Sequence, residues 1–223
     1  KNQESMATVK RVIFVKPATG EPCLRVHSTG QVSLVDPYRS LTTYEFYNCY
    51  TEEADDDSAI SVDIRKYVVA NLGRNFSTCV MLYGPANTGK SYLLLGGRTH
   101  EGLLLTTLRE VFESLRQDQS IHISVYEIDH QNEQVIDLGR HTDATPVEYN
   151  EVVSIPVTGE DEAIDLLDEG LSNRQENTHV FFTLNVLSVD QEGQQVASCV
   201  EFVLLANLPP IGHGASSSSS SST

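Results

Sequence analysis

Apolar positions along the chain alternate between two spacings, every second residue and every third or fourth, and that alternation is the pattern of an α/β fold. Thr8 to Val15 reads as a first strand, stopped by Pro17. Leu24 to Leu34, broken at Gly30, reads as a short hairpin, and Tyr44 to Tyr47 as another extended piece. Val62, Val69 and Leu72 share a helical face ahead of Gly73, which ends that helix. Cys79 to Tyr83 is an apolar, strand-like run. Leu104, Leu108, Val111, Phe112 and Leu115 recur at the spacing of one helical face and mark the clearest amphipathic helix. Ile121 to Ile128 alternates as a strand, and Val135 to Leu138 continues it after a polar turn. Thr158 to Asp161 carries the [ST]xx[DE] capping pattern and opens a helix with Ala163, Ile164, Leu167 and Leu171 on one face. Val180 to Val189 and Val196 to Leu205 are two long strands joined through Asp190 to Gly193, an antiparallel hairpin.

The candidate chemistry lies just after the Cys79–Tyr83 strand. Gly84-Pro85-Ala86-Asn87-Thr88-Gly89-Lys90-Ser91 meets GxxxxGK[ST] at every fixed position. Glycines let such a backbone curl so that successive N–H groups face one anion, and the start of the following helix adds partial positive charge. On this pattern Lys90 meets the β- and γ-phosphates and Ser91 meets Mg²⁺. The plain alternative is a glycine-containing turn with a solvated lysine. The motif speaks for phosphate and leaves hydrolysis open.

Composition narrows the partners. The chain has 223 residues, 39% of them hydrophobic, enough for one domain with a proper core. A net charge of −16 opposes nucleic acid and anionic membranes, and no basic run offsets it. No apolar stretch is long enough to span a bilayer, and no secretion signal is legible. Cys23, Cys49, Cys79 and Cys199 lack CxxC spacing, so reduced cysteines in a cytoplasmic protein are expected. The chain starts at Lys1, which suggests a trimmed piece with Met6 as a native start. The acidic run Glu52, Glu53, Asp55, Asp56 and Asp57 reads as a solvated loop, with a metal- or partner-docking strip as the sharper alternative. Residues 1–7 are expected to be an N-terminal extension, 8–211 the domain, and 212–223 a flexible Ser-rich tail.

The order of these segments resembles the kinesin motor domain. Val80-Met-Leu-Tyr-Gly84 through Lys90-Ser-Tyr92, with Gly96-Gly97 after it, is similar to the strand, phosphate loop and helix of that family. Gly102-Leu-Leu-Leu105 running into Leu108-Arg-Glu-Val-Phe112 looks like its next segment. Ser124-Val-Tyr-Glu-Ile128 followed by Glu133 to Leu138 resembles its S-x-x-E-I-Y-N-E-x-x-x-D-L-L strand pair, and Val157 to Arg174 its helix ending G-x-x-N-R, with Gly170, Asn173 and Arg174 in register. The resemblance implies an α/β phosphate-loop domain with a central mixed sheet flanked by helices. It also implies ATP or ADP with Mg²⁺ as cofactor, and extends the nucleotide-binding set from Gly84–Ser91 to Lys16 and Pro17.

Departures from the family pattern shape the functional expectation. Kinesins follow the Asn-Arg pair with a long loop ending Ser-Ser-Arg-Ser-His; here Asn173 passes almost at once to Thr178 and His179, and the serines and arginine of that loop have no counterpart. Where the family reads Asp-Leu-Ala-Gly-Ser-Glu, this chain has Ala206-Asn-Leu-Pro-Pro-Ile211, with Ala206 for the Asp, Pro209 for the Gly and Ile211 for the Glu. Proline has no N–H to offer a phosphate. The chain also stops where the family's last helices and last strand are expected, so the resemblance implies a motor fold without its C-terminal part, either as a fragment or as a shortened fold. The expectation is therefore a non-motile interaction or scaffold module, binding nucleotide without efficient hydrolysis, with no catalytic residue assigned. Its partner would be kinesin-like or cytoskeletal, and its own microtubule binding weak or absent. The alternative is a microtubule-associated phosphate-loop ATPase using unorthodox residues.

Overall fold

The computed structural model describes residues 8–15, 23–28, 30–35, 40–51, 56–98, 101–129, 131–140, 146–176, 178–189 and 192–207. Contacts divide the chain into two units, 1–63 and 64–223. In the first, β1 (Val12–Val15) pairs in parallel with β5 (Asn48–Thr51), while β2 (Leu24–Ser28), β3 (Gln31–Val35) and β4 (Leu41–Glu45) form an antiparallel sheet. The β2–β3 hairpin turns at Gly30, whose φ of 104° is open to glycine and whose Cβ would lie 2.9 Å from the Phe46 carbonyl oxygen. The first strand is shorter than its pattern, since residues 8–11 are not in strand. The extended piece at Tyr44–Tyr47 is the end of β4 and the link to β5.

Helix α1 (Asp56–Leu72) crosses from one unit to the other. It begins within the acidic run, so Asp56 and Asp57 are helical rather than loop. Its deepest residues in the second unit are Val68 and Leu72, with Val69 half-buried.

The second unit is built on β6 (Thr78–Leu82), β7 (Ser120–Asp129), β8 (Gln134–Asp137), β9 (Pro146–Val147), β10 (Ile155–Val157), β11 (His179–Val189) and β12 (Gln195–Leu204). Strand order is β6-β12-β11-β7-β8-β9, with β10 also on β7; β6 and β12 are parallel and the other pairs antiparallel. This is the mixed α/β sheet expected from the alternating pattern. Helices α2 (Lys90–Leu95), α3 (Leu103–Ser114) and α4 (Glu160–Asn173) complete the unit.

Period-two alternation fixes which side of the sheet is buried. Val180, Phe182, Leu184 and Val186 of β11 stand opposite Leu204, Phe202, Val200 and Ser198 of β12, and opposite Glu127, Val125, Ile123 and Ile121 of β7. The apolar members of these rows join Leu94, Leu103, Leu108, Val111, Ala163 and Leu167 of the helices in one core. α3 follows its predicted face, with Leu104, Leu108 and Val111 buried, but Leu115 lies just past its end. α4 lies close to the sheet because residue 170 is glycine: a Cβ there would come within 2.8 Å of Val125 Cγ1. The α4 cap differs from its pattern. The N-cap is Gly159, while Thr158 donates from its backbone N and hydroxyl to Glu162, at 2.7 and 2.9 Å, one residue beyond the expected partner.

Candidate functional site

The phosphate-loop residues form one continuous turn between β6 and α2. Gly84 is buried with φ of 156°, and a Cβ on it would press to 3.0 Å of the Thr88 hydroxyl. Asn87 has φ of 61° and Gly89 φ of 87°, so two left-handed residues tighten the curl. The Thr88 hydroxyl donates to the Pro85 carbonyl at 2.9 Å and closes the turn. α2 has six residues, too few to be stable alone, and Leu94, fully buried, anchors it to the core.

Lys90 turns back over this loop. Its ammonium donates to the carbonyl oxygens of Gly84 at 2.7 Å and Pro85 at 2.8 Å, and to Asn207 Oδ1 at 3.0 Å. Partial burial pulls the Lys90 pKa below its ordinary value. Ser91 is exposed beside it.

A cavity of about 350 Å³ opens here, lined by Lys90 and Ser91 on one side, by Leu204 at the end of β12 with Leu205 to Asn207 after it, and by Arg174, Gln175, Glu176 and Thr178 between α4 and β11 with Val180 of β11. Two contacts hold the walls. Ala206 N donates to His179 Nδ1 at 2.9 Å, which places the ring proton of neutral His179 on Nε2 and gives this residue a positioning role. Leu205 N donates to the Leu82 carbonyl at 3.2 Å, joining the end of β12 to the end of β6.

The third wall depends on a buried carboxylate. Glu127 occupies a core-facing row of β7 and is fully buried. Its Oε2 accepts from Gln175 N at 3.0 Å and from the Thr178 hydroxyl at 2.6 Å, while Oε1 has no partner among the described residues. Glu127 was not predicted as a site residue. The legible signal was a carboxylate at a position where alternation calls for an apolar side chain, since buried charge demands partners.

The structure brings Lys90, Ser91, Arg174 and Thr178 to one cavity, while Gly84 to Gly89 form the turn beside it and do not line it. Ala206 is there too, so no carboxylate stands at that point of the wall. Lys16, Pro17, Pro209 and Ile211 lie outside the described residues. The residues suit a phosphate through Lys90, Ser91 and Arg174. For Mg²⁺ the set is thinner: Ser91 is the hydroxyl that could hold it, and no cluster of three or more His, Cys, Asp or Glu occurs among the described residues.

The fold is a mixed α/β sheet flanked by helices, with a GxxxxGKS turn between a strand and a helix, and comparison with known sequences supplies the family. Residues 2–183 match the sequence model of the kinesin motor domain, and the chain belongs to that family. Among its relatives, it is 27% identical over 173 residues to kinesin-like protein KIN-14P of Arabidopsis thaliana, covering 67% of this chain and 17% of the relative. It is 24% identical over 178 residues to kinesin-like protein KIN-8B of the same plant, covering 70% and 22%. It is 25% identical over 101 residues to kinesin-related protein SMY1 of Saccharomyces cerevisiae, covering 38% and 15%. The matched region thus spans less than a quarter of these relatives.

Proposed function

We propose that this chain is a non-motile kinesin-family module for interaction or scaffolding, which binds ADP or ATP with Mg²⁺ at Gly84–Ser91 and does not hydrolyse it efficiently. The observation that carries the reading is one cavity lined by Lys90 and Ser91, the last two residues of the GxxxxGKS loop, on one side and by Ala206 on the other. Lys90 supplies positive charge to the phosphates and Ser91 the hydroxyl for Mg²⁺. Hydrolysis needs charge stabilisation at the transferred phosphoryl group, and loss of a stabilising arginine costs about 10³ to 10⁵ in rate in phosphate-loop enzymes. Without the carboxylate as well, the nucleotide acts as a bound ligand. The working unit is 8–211, the partner a kinesin-like or cytoskeletal protein, and the location the cytoplasm in association with the cytoskeleton. Nucleic acid and membrane are not its partners.

Thermal unfolding with ADP, ATP and GTP, with and without Mg²⁺, tests the binding half. Ligand at a hundred times its Kd adds about 2.7 kcal/mol of stability, and the wild type should show that rise with ADP or ATP. No shift at millimolar nucleotide would refute nucleotide binding.

A second reading is a phosphate-loop ATPase with unorthodox residues, favoured by Arg174 and Glu176 lining the same cavity. It requires turnover of about 1 s⁻¹ or faster, the low end of ordinary enzyme rates, that vanishes in Lys90→Ala. Under the first reading, phosphate release stays at background and is unchanged by that substitution.

A further inference from the structure

An ammonium has three hydrogens to donate, and all three of Lys90's have acceptors within 3.0 Å. Two of those acceptors, the carbonyls of Gly84 and Pro85, belong to the loop itself. The third is the amide oxygen of Asn207, from the opposite wall of the cavity and 117 residues further along the chain. The three differ in how readily they can be given up. The carbonyls are set by the path of the loop, with Gly84 held at its positive φ and Pro85 receiving the Thr88 hydroxyl, so releasing them means reshaping the turn. Asn207 is an exposed side chain beyond the end of β12 and can leave by a rotamer change. A phosphate approaching the cavity needs a donor from Lys90, and the one most easily freed is the one that Asn207 holds.

We infer that Asn207 and Lys90 form an intramolecular latch that closes the phosphate loop when no anion is present and competes with phosphate for the lysine. The ammonium cannot accept a hydrogen bond, so the Asn207 amide must present its oxygen, which puts a weak neutral mimic of a phosphate oxygen at the ligand's place. The latch also ties the loop after β6 to the segment after β12, the same two elements joined by Leu205 N and the Leu82 carbonyl. Two contacts therefore hold these walls of the cavity together. The competition with phosphate rests on the nucleotide-site reading above; the closure itself does not.

The test has two arms, both on the full chain. In the first, melting temperatures without ligand are measured for wild type, Lys90→Ala, Asn207→Ala and the double variant. Each single change should lower Tm by roughly 1–3 °C, and the double should fall no further than Lys90→Ala alone, because that variant already removes the one contact Asn207 makes with the lysine. Additive losses would overturn the latch. In the second arm, MgADP is titrated calorimetrically into wild type, Asn207→Ala and Asn207→Asp. Asn207→Ala frees the lysine and should bind roughly three- to tenfold tighter than wild type, the range for a modest charge-assisted hydrogen bond. Asn207→Asp strengthens the latch and adds a negative charge facing the phosphates, so it should bind more weakly than wild type. Equal or reversed affinities would overturn the competition. No binding by any of the three proteins, alongside non-additive melting, would support the latch as a standing closure of the loop and refute the nucleotide reading.

Discussion

Glu127 shows how one side chain can control a site it does not line. Its fully buried carboxylate holds Gln175 N and the Thr178 hydroxyl, and so sets the course of the segment that carries Arg174 and Glu176 past the cavity. Breaking such a buried charged hydrogen-bond pair leaves donors without acceptors, at a cost well above that of a surface contact. Glu127→Ala is therefore expected to lose about 3 kcal/mol in urea unfolding. Glu127→Gln keeps an acceptor for one or both donors and should lose about half as much. A loss below about 1 kcal/mol for the alanine variant would show that the wall is held by other means.

At the scale of elements, the placement of α2 rests on close backbone approach rather than on helix propensity. A Cβ at Gly102 would lie 2.3 Å from the Leu95 carbonyl carbon, 2.4 Å from the Leu94 carbonyl oxygen and 2.5 Å from Gly96 N. Backbone atoms cannot step aside as a side-chain tip can, so Gly102→Ala should push α3 away from the end of α2. The expected loss is about 1–3 kcal/mol, the range of overpacked sites, read by chemical denaturation, with weaker nucleotide-dependent stabilisation because α2 carries Lys90 and Ser91. Wild-type stability in this variant would mean that the α2–α3 junction is soft. The sequence marked α3 and its buried Leu104, Leu108 and Val111, and implied α2 only as the helix after the loop, but not this approach. A glycine between a loop and an apolar helix looks the same whether it faces solvent or another backbone.

For the whole molecule, charge governs what it meets. With −16 formal charge, the chain repels other acidic surfaces over a Debye length of about 8 Å at physiological salt. Tubulin surfaces are acidic, so co-sedimentation with stabilised microtubules should show weak or no binding, even at low ionic strength where exposed cations such as Arg140 and Arg174 would act most strongly. Saturable micromolar binding at physiological salt would contradict this. The expectation stands apart from family membership, because likeness in fold does not fix a partner.

Strand and helix periods, the phosphate-loop spacing and the family resemblance were all legible in the order of residues, because each depends on neighbours within a few positions or on a contiguous motif. Period-two alternation marked the two long strands of the hairpin, and GxxxxGKS located the loop. Pairings across long separations were not legible. Asn207 meets Lys90 from 117 residues away, Glu127 reaches Thr178 across 51, and His179 accepts from Ala206 across 27. Each is a polar contact between single residues, with no periodicity to announce it, and each exists because the parallel β6–β12 and antiparallel β7–β11–β12 pairings bring those strand ends together. The sequence thus determined the elements and the chemistry of the loop. The tertiary structure alone decided what the loop's lysine touches, since that depends on which strand ends become neighbours once the sheet has formed.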